Sequence, residues 1–201
     1  MVKIAVFVSG GGTNLQALID AAKEKQINGE IVLVVSNRMK AYGLERARLA
    51  GIDALCLKDE DLIIEELQKR EIDLIVLAGY LAIVSDKLVK LYENKIINIH
   101  PSLIPAFCGP GYYGIHVHNA AFKRGVKVAG ATVHFVSSEV DGGPIILQEA
   151  IDVSDCDSAE SMQEKILLNV EHKILVKAIK LYCDNKIVVE DERVKILWKE
   201  R

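Results

Sequence analysis

The stretch Lys3-Ile-Ala-Val-Phe-Val-Ser-Gly-Gly-Gly-Thr-Asn-Leu-Gln-Ala-Leu-Ile19 decides the reading of this chain. Lys3 to Ser9 is an almost unbroken apolar run, the pattern of a strand buried on both faces. From Asn14 to Lys25 the period changes, and Leu15, Leu18, Ile19 and Ala22 fall on one face of a helix. Gly10, Gly11 and Gly12 lie between. Free backbone amides and the positive end of a helix dipole meet at such a turn and favour an anion. Glycine lets the main chain approach that anion closely. A nucleoside triphosphate loop would follow its glycines with Lys and Ser or Thr, whereas here Thr13 and Asn14 follow. A dinucleotide fingerprint would place a third glycine at Leu15 and an acidic residue where Ser36-Asn37 closes the second strand. A monophosphate fits better than either. The loop alone leaves open a tight turn with no ligand.

The same alternation continues outward. Strands are expected at Glu30 to Ser36, Ala54 to Leu57, Asp73 to Ala78 and Lys95 to Ile99. The helices between them run from Tyr42 to Ala50, about Asp59 to Arg70, and Ser85 to Glu93. Apolar strands separated by helices imply a mostly parallel open sheet, Rossmann-like, with helices on both faces.

Beyond residue 100 the texture changes. Pro101 to Gly114 holds three prolines and three glycines and reads as a loop. A short helix from Ile115 to Arg124 follows, then strands at Val126 to Val136 and Pro144 to Val153 around Asp141-Gly142-Gly143. Asp157 to Tyr182 reads as one long helix capped at Asp157 or Ser158, and Lys186 to Val189 with Val194 to Trp198 as a terminal hairpin. The sheet should therefore end in an antiparallel portion. No linker or repeat divides the sequence, so residues 1–201 are taken as one α/β domain.

Ligands of open α/β sheets bind beyond the C-terminal ends of the strands. Asn98 and His100 lie there and, two apart, project to the same side. Pro101 fixes the exit direction and keeps His100 from helical dihedrals. The pair suits acyl transfer: an amide N–H and an imidazole can stabilise the oxyanion formed when an amine attacks a carbonyl carbon. His100 as proton donor would add about 10²–10⁴-fold. A carboxylate beside it would support the charged imidazole and take up the amine's proton through water. Asp141, in a flexible Asp-Gly-Gly turn, is the candidate. A structural role for Asn98 and His100 at a strand end is the alternative.

Other chemistries fare worse. His116 and His118, with His100 and Asp141, would offer zinc ligands, but residues two apart on a helix diverge, so no metal is expected. His134 among β-branched residues reads as a hydrogen-bonded core histidine, and His172 as a helix-surface or pocket-edge residue. The four cysteines form no C-x-x-C pair and read as reduced thiols. A net charge of -3 excludes the basic footprint of a nucleic-acid binder. No apolar run spans a membrane and no cleavable leader is visible, so a soluble cytoplasmic protein is expected.

Ser9 to Ile19, Asn-Ile-His-Pro-Ser-Leu-Ile-Pro at 98–105, His-Phe-Val at 134–136 and Asp-Gly-Gly-Pro-Ile-Ile-Leu-Gln at 141–148 resemble the folate-dependent phosphoribosylglycinamide formyltransferase family. The resemblance runs from residue 3 to about 180. It implies formyl transfer from 10-formyltetrahydrofolate to the amine of 5-phosphoribosylglycinamide, within purine synthesis, by direct amine attack. It assigns catalysis to Asn98, His100 and Asp141. It assigns the phosphorylated substrate to Gly12, Thr13, Asn14, Pro101 and Glu171, the last at the ribose hydroxyls. The folate pocket falls on Leu81, Ala82, Ile83, Val84, Ile96, Asn98, Val136, Ser137, Val140 and Asp141. Residues up to about 100 become the phosphate-binding half and residues 101–201 the folate and catalytic half. A monomer or weak homodimer acting on small molecules is implied.

Departures are visible: Ala82 where many members have arginine, no counterpart to an arginine after the third strand, Leu168 where a polar or basic residue is usual, and a longer Ala106 to Tyr113 whose Phe107, Tyr112 and Tyr113 suit either a lid or surface packing. Formyl-folate hydrolysis, transfer to another amine, and a non-catalytic phosphosugar-binding module are the alternatives.

Overall fold

The computed structural model describes residues 1–197; Trp198, expected to end the last strand, lies outside them. Five strands, β1 (Val2–Val8), β2 (Gly29–Ser36), β3 (Asp53–Cys56), β4 (Leu74–Leu77) and β5 (Ile96–His100), alternate with α1 (Thr13–Lys23), α2 (Tyr42–Leu49), α3 (Glu60–Lys69) and α4 (Asp86–Leu91). Then come α5 (Ile115–Arg124), β6 (Val128–Phe135), β7 (Ile145–Asp152), α6 (Ala159–Ile166), a π-helical turn (Leu167–Glu171), α7 (His172–Cys183), and a hairpin of β8 (Ile187–Glu190) and β9 (Arg193–Ile196).

The main sheet runs β3-β2-β1-β4-β5-β6-β7, parallel through β5 and antiparallel at β6 and β7. Its apolar runs split by the period of two. Ile4, Val6 and Val8 of β1 pack with α1, α2 and α7, while Ala5 and Phe7 pack with α3 and α4. Strands β2 and β4 divide in the same way: Val34, Leu74 and Val76 face one core, and Leu33, Val35, Ile75 and Leu77 the other. Burial on both faces is why these strands show no polar alternation.

The long helix expected from Asp157 to Tyr182 is two helices joined by a π turn. Asn169 Nδ2 donates to the Lys165 carbonyl at 2.8 Å, the acceptor that its own amide would use in an α-helix. The His172 amide reaches back five residues to the Leu167 carbonyl, the bond that widens the turn at residues 167–171. The start of α6 is capped by Ser158, in a reciprocal box with Ser161. Among the described residues no helix is long and apolar enough to cross a membrane.

Candidate active site

The order of the strands reverses between β1 and β4, and a cavity of about 500 Å³ opens beyond the C-terminal ends of β1, β4 and β5. The glycine loop forms one wall. Gly12 has φ +70°, a conformation glycine adopts without strain. A Cβ there would stand 2.7 Å from Gly43 Cα, so loop and α2 touch backbone to backbone. Among the described residues no lysine or arginine lines the cavity; the wall here is the glycine loop with Thr13 and Asn14 at the start of α1.

Asn14, buried in the first turn of α1, donates Nδ2 to Glu171 Oε2 at 2.8 Å. The π turn carries Glu171 to this position, where burial pushes its carboxyl up to about 7 against the opposing pull of the Asn14 bond. The two predicted residues, distant in sequence, therefore meet at the cavity wall.

A polar side-chain cluster is assembled across β5 and β6. Asn98 pairs with His134 in the antiparallel register, and Asn98 Nδ2 lies 3.0 Å from His134 Nε2. His134 Nδ1 lies 2.8 Å from the Phe135 carbonyl, which only accepts, so Nδ1 carries the proton and Nε2 a bare lone pair. Burial lowers the His134 pKa against the raising pulls of the Phe135 carbonyl and of Asp141, which favours the neutral ring. That lone pair compels Asn98 to present its NH₂, whose second hydrogen is free for a ligand oxygen. The sequence alone reads His134 as core. It is buried, but it also orients the Asn98 amide and stands 3.7 Å from Asp141 Oδ1. Its place in the His-Phe-Val motif is the available signal.

His100 Nε2 lies 2.9 Å from the Phe107 carbonyl, and Nδ1 lies 3.5 Å from Asp141 Oδ2. Both ring nitrogens face acceptors, which a ring donating at each would satisfy. Asp141 Oδ2 also accepts the Gly109 amide at 2.9 Å. The Asp-Gly-Gly turn is packed in place, contrary to the flexible turn expected: Asp141 has φ +58°, and a Cβ on Gly143 would come within 1.9 Å of the Phe135 carbonyl oxygen. A close backbone approach of that kind fixes the turn.

Of the residues assigned to the folate pocket, Leu81, Ala82, Ile83, Val84, Val136, Ser137 and Val140 line the cavity, as does Pro101. Ile96 does not. One pleat short of Asn98, it is buried beneath the cleft with Leu88 and Phe7. Leu168 is likewise off the wall and half exposed, because the π turn presents Leu167, with Gln163, in its place. The Leu81 amide donates to Ser9 Oγ at 2.9 Å, tying this wall to the end of β1.

Tyr112 and Tyr113 line the cavity, whereas Phe107 packs on the core and lends its carbonyl to His100. The Ile104–Pro105 bond is cis. His116 is exposed against Tyr113, while His118 is buried at the cavity, both ring nitrogens unpartnered among the described residues. Burial lowers the His118 pKa to about 4. His172 is half-buried and does not reach the cavity wall.

The sequence profile of the formyl transferase family matches residues 2–179. The chain is 40% identical over 189 residues to phosphoribosylglycinamide formyltransferase of Bacillus subtilis, covering 90% of this chain and 94% of that one. It is 37% identical over 204 residues to the chloroplastic enzyme of that name from Vigna unguiculata, covering 97% of this chain but spanning 65% of that protein's length. Among solved structures, glycinamide ribonucleotide transformylase 1 from Symbiobacterium toebii superposes with a TM-score of 0.91 at 44% identity, covering 98% of this chain and 95% of that one.

Proposed function

Because the chain belongs to the formyl transferase family, we propose that it transfers the formyl group of 10-formyltetrahydrofolate to the amine of 5-phosphoribosylglycinamide in purine synthesis. One observation carries this reading: Asn98 and His100, from one strand, and Asp141, about forty residues on, converge on one side of the same cavity that the glycine loop lines. Asn98 Nδ2 offers an N–H donor to the oxygen that gains charge as an amine adds to a formyl carbon. The Nδ1 side of His100, only loosely held 3.5 Å from Asp141 while Nε2 is committed to the Phe107 carbonyl, offers the second. The amine loses one proton, which Asp141 is placed to accept through water. The departing nitrogen gains one, which the imidazole of His100 can donate and recover from Asp141, 3.5 Å away. Asp141 holds the ring between itself and Phe107.

The walls suit the two substrates. Gly12, Thr13 and Asn14 line the wall at the start of α1, where backbone amides can receive a phosphate, and Glu171 can accept from ribose hydroxyls. Leu81 to Val84 and Val136 to Val140 give a mainly apolar wall for a flat pterin ring, within the volume usual for small-molecule sites. The four free thiols suit the reducing cytoplasm as the place of action.

The test is a two-substrate assay on wild type, Asn98→Ala, His100→Ala and Asp141→Asn. Removing one oxyanion donor at Asn98 should lower kcat about 10²–10³-fold with the fold intact. His100→Ala should cost about 10²–10⁴-fold. Formate release measured with and without the ribonucleotide separates transfer from hydrolysis. A wild-type protein that consumes no formyl-folate in the presence of the ribonucleotide would refute the assignment.

A further inference from the structure

We propose that Arg46, on α2 and outside the cavity, is the positioning residue that aims the phosphate loop and so sets affinity for the phosphorylated amine without entering the chemistry. The inference rests on the function proposed above, which gives the loop a phosphate to hold.

The three glycine carbonyls are all committed away from the cleft. Gly10 O accepts the Gly43 amide at 3.1 Å, Gly11 O accepts Arg46 Nε at 2.8 Å, and Gly12 O accepts the Gln16 amide at 2.9 Å. A trans peptide points the C=O of one residue and the N–H of the next in opposite directions. Drawing the Gly10 and Gly11 carbonyls toward α2 therefore turns the Gly11 and Gly12 amides toward the cavity. Those carbonyl oxygens, which would repel an anion, are removed from it by the same rotation.

Arg46 is itself held on several sides. Its Nη1 donates to Gln16 Oε1 at 3.0 Å, its guanidinium stacks 5.1 Å from the centre of the Tyr42 ring, and its Cδ packs behind Gly12. The fork thus bridges α2, the loop and α1. It also sets a full positive charge behind a phosphate site whose walls supply none among the described residues. Gly43 completes the brace. A Cβ there would come 2.8 Å from Val8 Cγ2, so α2 can approach the loop this closely only with glycine at that position.

The experiment compares Arg46→Gln, Arg46→Lys and Arg48→Gln with wild type. Arg48 is a surface control on the same helix, contacting Glu45 at 3.4 Å. Two readouts are taken: KM for each substrate with kcat, and calorimetric titration with inorganic phosphate and with ribose 5-phosphate, which needs no turnover. Arg46→Gln should raise the amine-substrate KM and the phosphate Kd about tenfold, with kcat and formyl-donor KM within about twofold. Arg46→Lys should recover part of the affinity, since an ammonium restores charge but not the fork. Arg48→Gln should match wild type.

Unchanged phosphate binding in both Arg46 variants overturns the inference, as does an equal rise in both KM values with a fall in kcat, which marks general damage. If Arg46→Gln does not fold, Arg46→Lys decides between the same outcomes. Wild-type protein that binds phosphate but turns nothing over refutes the proposed reaction, and the titrations still judge Arg46.

Discussion

At one wall of the cleft Gly10, Gly11 and Gly12 hold out main-chain amides that α2 steers from behind. At the proposed chemical centre Asn98, His100, His134 and Asp141 offer side chains drawn from two antiparallel strands and a turn. The two regions should fail differently. A backbone cradle has no side chain to delete, so what harms it is a shift of its peptide planes, and the loss falls on ground-state binding. A side-chain cluster that meets charge only as the reaction proceeds loses transition-state stabilisation, and the loss falls on kcat.

Two single-atom insertions set these against each other. Gly143→Ala is the larger. Its Cβ would meet the Phe135 carbonyl oxygen at 1.9 Å and the carbonyl carbon at 2.9 Å, both rigid backbone. The turn must move, and Asp141 moves with it. A displacement of about 1 Å should lower kcat by about 10²-fold, with the amine KM little changed. Gly12→Ala comes next. It forces a left-handed φ of +70° on alanine and presses Cβ to 2.7 Å from Gly43 Cα. The amine KM should rise about tenfold, as for one lost charged hydrogen bond, while kcat persists. Steady-state kinetics on both variants decides the matter. If Gly143→Ala raises KM with kcat intact, or Gly12→Ala does the reverse, the division between the two regions is wrong.

The same division marks what the sequence reveals. The β1–α1 unit and its glycine loop are legible because their determinants are local: apolar strands buried on both faces, then a helix period, with glycines between. Asn98, His100 and Asp141 are legible as chemistry, and the strand period correctly places the first two on one side. His134 is less so: its motif marks the position, but its pairing with Asn98 comes from the register of β6 against β5, a long-range contact that local periodicity does not encode. Ile96 shares the parity of Asn98, yet lies a pleat too early to clear the core. Nor does the helical period from Asp157 to Tyr182 betray the π turn at residues 167–171, whose i→i+5 bonding leaves no mark in an apolar period. Leu168 consequently faces out where Leu167 faces in.

Glu171 joins the two regions, since the π turn brings it from the C-terminal half to the phosphate-loop residue Asn14. Its smaller effect is read in stability. Burial raises the carboxyl from its ordinary 4.5 to about 7. Below pH 4.5 folded and unfolded chains both hold the proton, and the contribution to stability is complete. Between there and about 7 the unfolded chain ionises while the folded one does not, so stability is lost as pH rises, and the loss levels off above the folded value. Glutamine at this position keeps the shape and a hydrogen-bonding oxygen for Asn14 but does not titrate. The melting temperature of Glu171→Gln relative to wild type should therefore climb from pH 5 to pH 8.5, by a few degrees in all. Every other titrating group is common to both proteins and cancels in the difference. Parallel melting curves across that range would mean that Glu171 is ionised and hydrated in the free protein, and that the π turn does not sink it into the wall beside Asn14.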